Sequence, residues 1–196
     1  MKGLEKLTPI RLAEVLTQKG LVPNEIITDA LYTQDRHGEP FAEVLVSTGH
    51  ISEWDLAKLV VEHFQVPFLM ASIYDINKKG IEGLPNDLLF RRQIVPLDRF
   101  DKILTVVMPI LTPFDVLMKL GRDVKCEVYP YVGLVTENRK VLTDLYPDFK
   151  VWNAEQEKRR EQMRKTRSDK PGEEGGNWKN MFDSADAKVR DGLKDP

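Results

Sequence analysis

Residues 11–34, RLAEVLTQKGLVPNEIITDALYTQ, and residues 40–63, PFAEVLVSTGHISEWDLAKLVVEH, repeat one 24-residue pattern 29 positions apart. The apolar or small positions are Leu12, Ala13, Leu16, Gly20, Val22, Ile27 and Leu31 in the first copy. In the second they are Phe41, Ala42, Leu45, Gly49, Ile51, Leu56 and Val60, at identical offsets. Leu12/Leu16 and Ile27/Leu31 stand four apart, which puts each pair on one helical face. Gly20 and Gly49 follow helical runs, where a left-handed cap suits a residue without a Cβ. Thr8-Pro9 has the form of an N-cap with proline at the first helical position. Ser52 with Asp55 resembles a capping box, with Asp where Glu or Gln is usual. Each copy therefore predicts helix, glycine turn, helix. Two such hairpins stacked together bury both stripes, and packing alone explains the leucines and isoleucines. It does not explain the ends: the first copy opens with Arg11 and closes with Gln34, where the second has Pro40 and His63.

Downstream the period changes. Pro85-Asn86-Asp87 opens a short helix through Arg91. Ile94–Leu97 and Ile103–Met108 read as strands around a turn at Arg99-Phe100-Asp101-Lys102. Phe114–Leu120 reads as a helix stopped by Gly121, and Val124–Tyr129 alternates as a strand does. Val132, Val135, Arg139, Leu142 and Leu145 suit a last amphipathic helix. The expected fold class is α+β: a helical tandem-motif part over residues 1–66, a small α+β part over 67–149, and a charged tail over 150–196. In the tail, AEQEKRREQMRKTRSDKPGEEGGN is too poor in apolar residues to build a core, so disorder or a solvated helix is expected. Lys158–Arg167 is locally basic, a weak anchor for acidic partners or lipid at most. Trp178, Phe182, Ala185, Val189 and Leu193 then recur at helical steps, so a short amphipathic helix is expected near 178–193. Trp178, Phe182 and Val189 are candidates for contact either with the domain or with a partner protein.

Several function classes are excluded or disfavoured. Lys and Arg total 29 against 31 Asp and Glu, a net charge of −2, which argues against nucleic acid as a partner. No stretch approaches the ~18 apolar residues of a membrane span, and the N-terminus lacks the apolar core of a signal peptide. The single Cys126 excludes an internal disulfide framework and a cysteine-rich metal site, and it reads as a small core residue in a strand. A cytoplasmic protein is the simple reading. His37, His50 and His63 fit no metal-ligand spacing. Asp75, Asp98 and Asp101 read as turn or surface residues rather than an acid/base pair. No G-x-x-x-x-G-K-[ST] phosphate loop and no G-x-S-x-G elbow occurs. No catalytic residue, metal or cofactor is expected, and the chain reads as a non-enzyme.

The pattern Arg-Leu-small-x-x-Leu-x-x-x-Gly-x-apolar ending in Gln resembles the motif of the N-terminal domain of type II secretion and type IV pilus assembly ATPases. HFQVPFL resembles that family's segment ending in Val-Pro-Phe. The run LPNDLLFRRQIVPLDRFDKILTVVMPILTPFDVLMKLG resembles its later helix, strands and Pro-Phe-Asp turn. The resemblance covers roughly residues 8–147 and does not include the family's ATPase engine. In one branch of the family, two such motifs five residues apart bind cyclic di-GMP; here the spacer is Asp35–Glu39. The resemblance thus implies Arg11 and Gln34 as polar contacts, with Leu12, Ala13, Leu16, Phe41, Ala42 and Leu45 as apolar walls. His63 and spacer Arg36 would act in the second half. Pro40 offers no donor there, so that half of the inherited site looks weakened. Two readings stay open: a non-catalytic module docking on a secretion, pilus or motility complex, and a cyclic di-GMP receptor signalling to a partner. Either would reach the inner membrane face only through a partner.

Overall fold

A computed structural model describes residues 4–37 and 39–168. Thr8 lies in extended backbone and its hydroxyl accepts from the Arg11 N–H at 3.3 Å. Helix α1 (Pro9–Lys19) therefore starts on a local cap, and Gly20 ends it at φ 62. α2 (Asn24–His37) completes the first hairpin. The second copy gives α3 (Phe41–Ser47) and α4 (Glu53–Phe64), with Gly49 at φ 74 between them. Ser52 caps α4 by accepting from the Asp55 N–H at 3.1 Å. The Ser52 hydroxyl in turn donates to the Asp55 carboxylate at 2.5 Å, so the reciprocal backbone half of a capping box is not made. α2 packs on both α1 and α3, and Leu12, Leu16, Phe41, Leu45, Leu56 and Val60 are fully buried. The repeated ladder is the core of two stacked hairpins.

The rest of this unit is a three-stranded sheet with helices against it, so the class is α+β. α5 (Asn86–Arg92) leads into β1 (Val95–Phe100), which pairs antiparallel with β2 (Ile103–Pro109) around Asp101-Lys102. β3 (Glu127–Gly133) returns parallel to β2 through α6 (Phe114–Val124), since a parallel return needs a crossover. α7 (Val135–Leu145) packs across β1 and β2. The outer edge of β3 is covered at its end: the Val132 N–H donates to the Pro67 carbonyl at 2.8 Å, and the Leu69 N–H donates to Val132 at 3.0 Å. Backbone direction alternates along a strand, so Pro130 faces the same edge and has no N–H to offer.

The structure corrects several sequence boundaries. α6 does not stop at Gly121; it runs to Val124 and ends on Lys125 at φ 55. Gly121 is buried, and a Cβ there would lie 2.7 Å from the Cys126 carbonyl oxygen. The glycine lets the chain turn tightly back at the end of α6, where the Cys126 N–H donates to the Gly121 carbonyl at 2.9 Å, but it is not itself the left-handed cap residue. The last strand consequently begins at Glu127 instead of Val124, and Val132 belongs to the sheet instead of the final helix. Cys126 precedes the strand and is half-buried, not a core residue. Arg99 and Phe100, expected in the turn, are the last residues of β1.

The chain divides into two compact units, Met1–Val151 and Trp152 onward. α8 (Pro147–Ser168) begins in the first. Its part from Trp152 is mostly exposed, with Asn153 donating to Glu157 at 3.1 Å, the solvated helix that the charged composition allows. Trp178, Phe182 and Val189, and the helix expected over 178–193, lie outside the described residues. No described helix is long and apolar enough to cross a membrane.

Candidate ligand-binding site

The polar ends of the two copies sit at helix starts and ends. Arg11 is in the first turn of α1, two-thirds exposed, with its guanidinium 3.2 Å from the Glu14 carboxylate. Gln34, near the end of α2, accepts from the Phe41 N–H through Oε1 at 3.1 Å. This bond completes α3. Pro40 stands at the N-cap of that helix and makes no side-chain cap, so the acceptor comes from the preceding helix. The residue that closes the first copy thus secures the start of the second. Gln34→Ala is expected to cost about 1 kcal/mol, as loss of an N-cap does. Thermal denaturation of the full chain checks this, and an unchanged midpoint would refute the cap.

Leu12, Leu16, Phe41 and Leu45 are completely buried, and Ala13 and Ala42 nearly so. In this structure they set the spacing of the helices and offer no outward surface. Arg36 is exposed and lies over the Tyr32 ring, 5.8 Å from its centroid. His63 is exposed in the last turn of α4, edge-on to Phe64 at 5.0 Å. Accessible polar chemistry on the tandem copies therefore includes Arg11, Arg36 and His63, with Gln34 half-buried between α2 and α3.

Other polar residues at the second copy were not singled out by the sequence. Glu43, in the first turn of α3, pairs with Arg139 of α7 at 2.9 Å, each about a quarter exposed. Buried Gln93 stands against the same guanidinium. With its amide oxygen turned inward it accepts from Nη2 at 2.9 Å and from Nε at 3.1 Å, whereas the opposite orientation would set donors against donors. Fully buried Asn138 donates to the Gln93 carbonyl at 2.9 Å and to the Val107 carbonyl at 3.4 Å. One polar chain thus runs from α3 through α7 to β2. Nearby in α4, Glu53 accepts from the N–H groups of Val135 and Thr136 and from the Thr136 hydroxyl. An arginine within the apolar series of α7 was the only local signal of this network, and its partners lie too far away in sequence to be read.

Tyr146 is the one described residue with a clear titration shift: burial raises its phenol above the ordinary value, and its hydroxyl has no partner among the described residues. No described cluster of three His, Cys, Asp or Glu residues is placed to hold a metal.

No family model matches the chain. The type IV pilus assembly ATPase PilB of Myxococcus xanthus is 26% identical over 98 residues, which is 50% of this chain but only 17% of that protein. Among solved structures, MshE with cyclic di-GMP superposes with a TM-score of 0.56 at 18% identity, covering 69% of this chain and 99% of that one. The N-terminal domain of XpsE gives 0.55 at 19% identity, covering 69% and 94%. The resemblance read from the sequence, to the N-terminal domain of secretion and pilus assembly ATPases, holds in these comparisons: the chain has the fold of the XpsE N-terminal domain and of MshE, and it is similar in sequence to a part of PilB.

Proposed function

We propose that the chain is a non-catalytic docking module of a secretion, pilus or motility assembly. The observation that carries this reading is the shared fold with the XpsE N-terminal domain, combined with the absence of a phosphate loop in these 196 residues. Its place is the cytoplasm, with recruitment to the inner membrane face through a protein partner. Mixing the chain with purified components of such an assembly and following co-elution by size exclusion tests the proposal. Co-elution with none of them overturns it.

A second reading, a cyclic di-GMP receptor signalling to that partner, is favoured by Arg11. This guanidinium is exposed at the start of the first copy, and the fold is also that of MshE with cyclic di-GMP. Arg11 would stack on or donate to a guanine or phosphate, and Gln34 would present its amide nitrogen, since its oxygen already serves α3. Arg11→Ala is expected to weaken cyclic di-GMP at least about tenfold, the loss of one charge-assisted hydrogen bond. Calorimetric titration of both proteins at one salt concentration checks this. Absence of wild-type binding at high micromolar ligand leaves the docking module alone. Tight binding unchanged in Arg11→Ala places the ligand elsewhere.

A further inference from the structure

Pro40 removes a cation from the start of α3, where the first copy has Arg11. The fold brings another to that turn. In the first copy Arg11 pairs with Glu14. The repeat places Glu43 at the position equivalent to Glu14, and Glu43 also pairs with a guanidinium, that of Arg139, 96 residues away on α7. The two ion pairs are therefore counterparts, one built within its motif and the other completed from outside it. Gln34 reaches the same turn of α3 through the Phe41 N–H.

Arg139 is held for such a role. Glu43 and Gln93 engage Nη2 and Nε, and Asn138 fixes Gln93 through its carbonyl. The plane of the guanidinium is thus set before any ligand arrives. Nη1 makes no hydrogen bond among the described residues, and about a quarter of the side chain is accessible. A planar cation with two uncommitted N–H donors is suited to a guanine edge or a phosphate. Resting on the cyclic di-GMP reading, we infer that Arg139 supplies the guanidinium of the second half-site, in place of the arginine that Pro40 displaces.

Calorimetry with cyclic di-GMP on the full chain tests this, using wild type, Arg139→Lys, Pro40→Arg and the double variant at one salt concentration. Lysine keeps a charge opposite Glu43 but loses the planar fork. Arg139→Lys is expected to melt within a few degrees of wild type and to bind about tenfold more weakly. Adding Pro40→Arg is expected to recover most of that loss, because both side chains serve one half-site. A residue that only clamps α7 to α3 would leave affinity untouched in Arg139→Lys, and that result overturns the inference. So does a double variant no tighter than Arg139→Lys. If Arg139→Lys melts well below wild type, Glu43→Gln decides, since its amide oxygen still accepts from the guanidinium and Gln93 still holds Nε, so the plane is kept while the opposing charge is removed. Retained or stronger binding supports the ligand role; weaker binding overturns it. Wild-type protein that fails to bind defeats the ligand reading together with this inference. Binding that is weakened by Arg11→Ala but indifferent to Arg139→Lys defeats this inference alone.

Discussion

Glu53→Ala is expected to lower the unfolding free energy by about 2–3 kcal/mol, because it removes the charged acceptor shared by the part-buried Val135 N–H and the exposed Thr136 N–H and hydroxyl. Helix α7 has Leu134 at its N-cap and therefore no acceptor of its own. The Glu53 carboxylate fills that place from α4, accepting from the Val135 and Thr136 N–H groups and, at 2.8 Å, from the Thr136 hydroxyl. A negative charge at the positive end of the helix dipole adds to the effect. α4 keeps its own Ser52 cap in the variant, so the loss falls on α7 and on its docking. The midpoint should drop by roughly 5–10 °C for a chain of this size. Glu53→Gln retains one acceptor oxygen without the charge and should lose less. Thermal and urea unfolding of the two variants and wild type check this, and equal midpoints would show that Glu53 does not cap α7.

Gly133→Ala is expected to be more damaging, at about 3 kcal/mol or above, through overpacking that the site cannot relax. A Cβ at this position would overlap Val107 Cγ1 and sit 3.1 Å from both Asn138 Oδ1 and the Leu69 carbonyl. None of these neighbours is the loose end of a long side chain. Val107 is a β-branched residue in the middle strand, fully buried, and Asn138 is fixed by its two hydrogen bonds. Gly20 shows the contrast: nothing lies within 4 Å of its absent Cβ, and only its φ of 62° asks for glycine. Val107→Ala in the Gly133→Ala background should restore part of the loss by clearing the overlap. Urea midpoints of the single and double variants measure it. A Gly133→Ala chain as stable as wild type would mean that the crossing of β3, Leu69 and α7 has room for a methyl group.

What could be read from the sequence was local. Thr8-Pro9, Ser52, Gly20 and Gly49 mark helix ends with chemistry carried by the end itself, and each stands where its type demands. The tandem ladder was legible because a repeated apolar offset has one physical use. Gly121 misled because glycine's other use, tight approach of the backbone, depends on how the chain turns after the helix: the Cys126 N–H donates to the Gly121 carbonyl at 2.9 Å, and the Cys126 carbonyl oxygen then lies 2.7 Å from where a Cβ would stand. Val132 misled because an isolated valine fits the helical and strand periods equally well. The polar chain through Glu43, Arg139, Gln93 and Asn138 was not legible, because its members are drawn from three distant segments. Of the candidate site, Arg11 and Gln34 were visible as residues the ladder did not need. That Gln34 holds the start of the next helix required the fold.

The origin of the helix caps bears on the order in which the chain folds. α1 and α4 carry their own acceptors in Thr8 and Ser52. They gain stability as soon as a turn forms, on the sub-microsecond scale of helix nucleation. α3 borrows its acceptor across 7 residues and α7 across 82. The first turn of α7 is therefore secured only after the sheet has closed the long loop between α4 and its own start, a step whose entropy must be met before the contact rewards it. The tandem hairpins are suited to an early, nearly self-sufficient nucleus, with α7 locking last. By the usual partition of rates, a lesion at Glu53 would then hasten unfolding far more than it would slow folding.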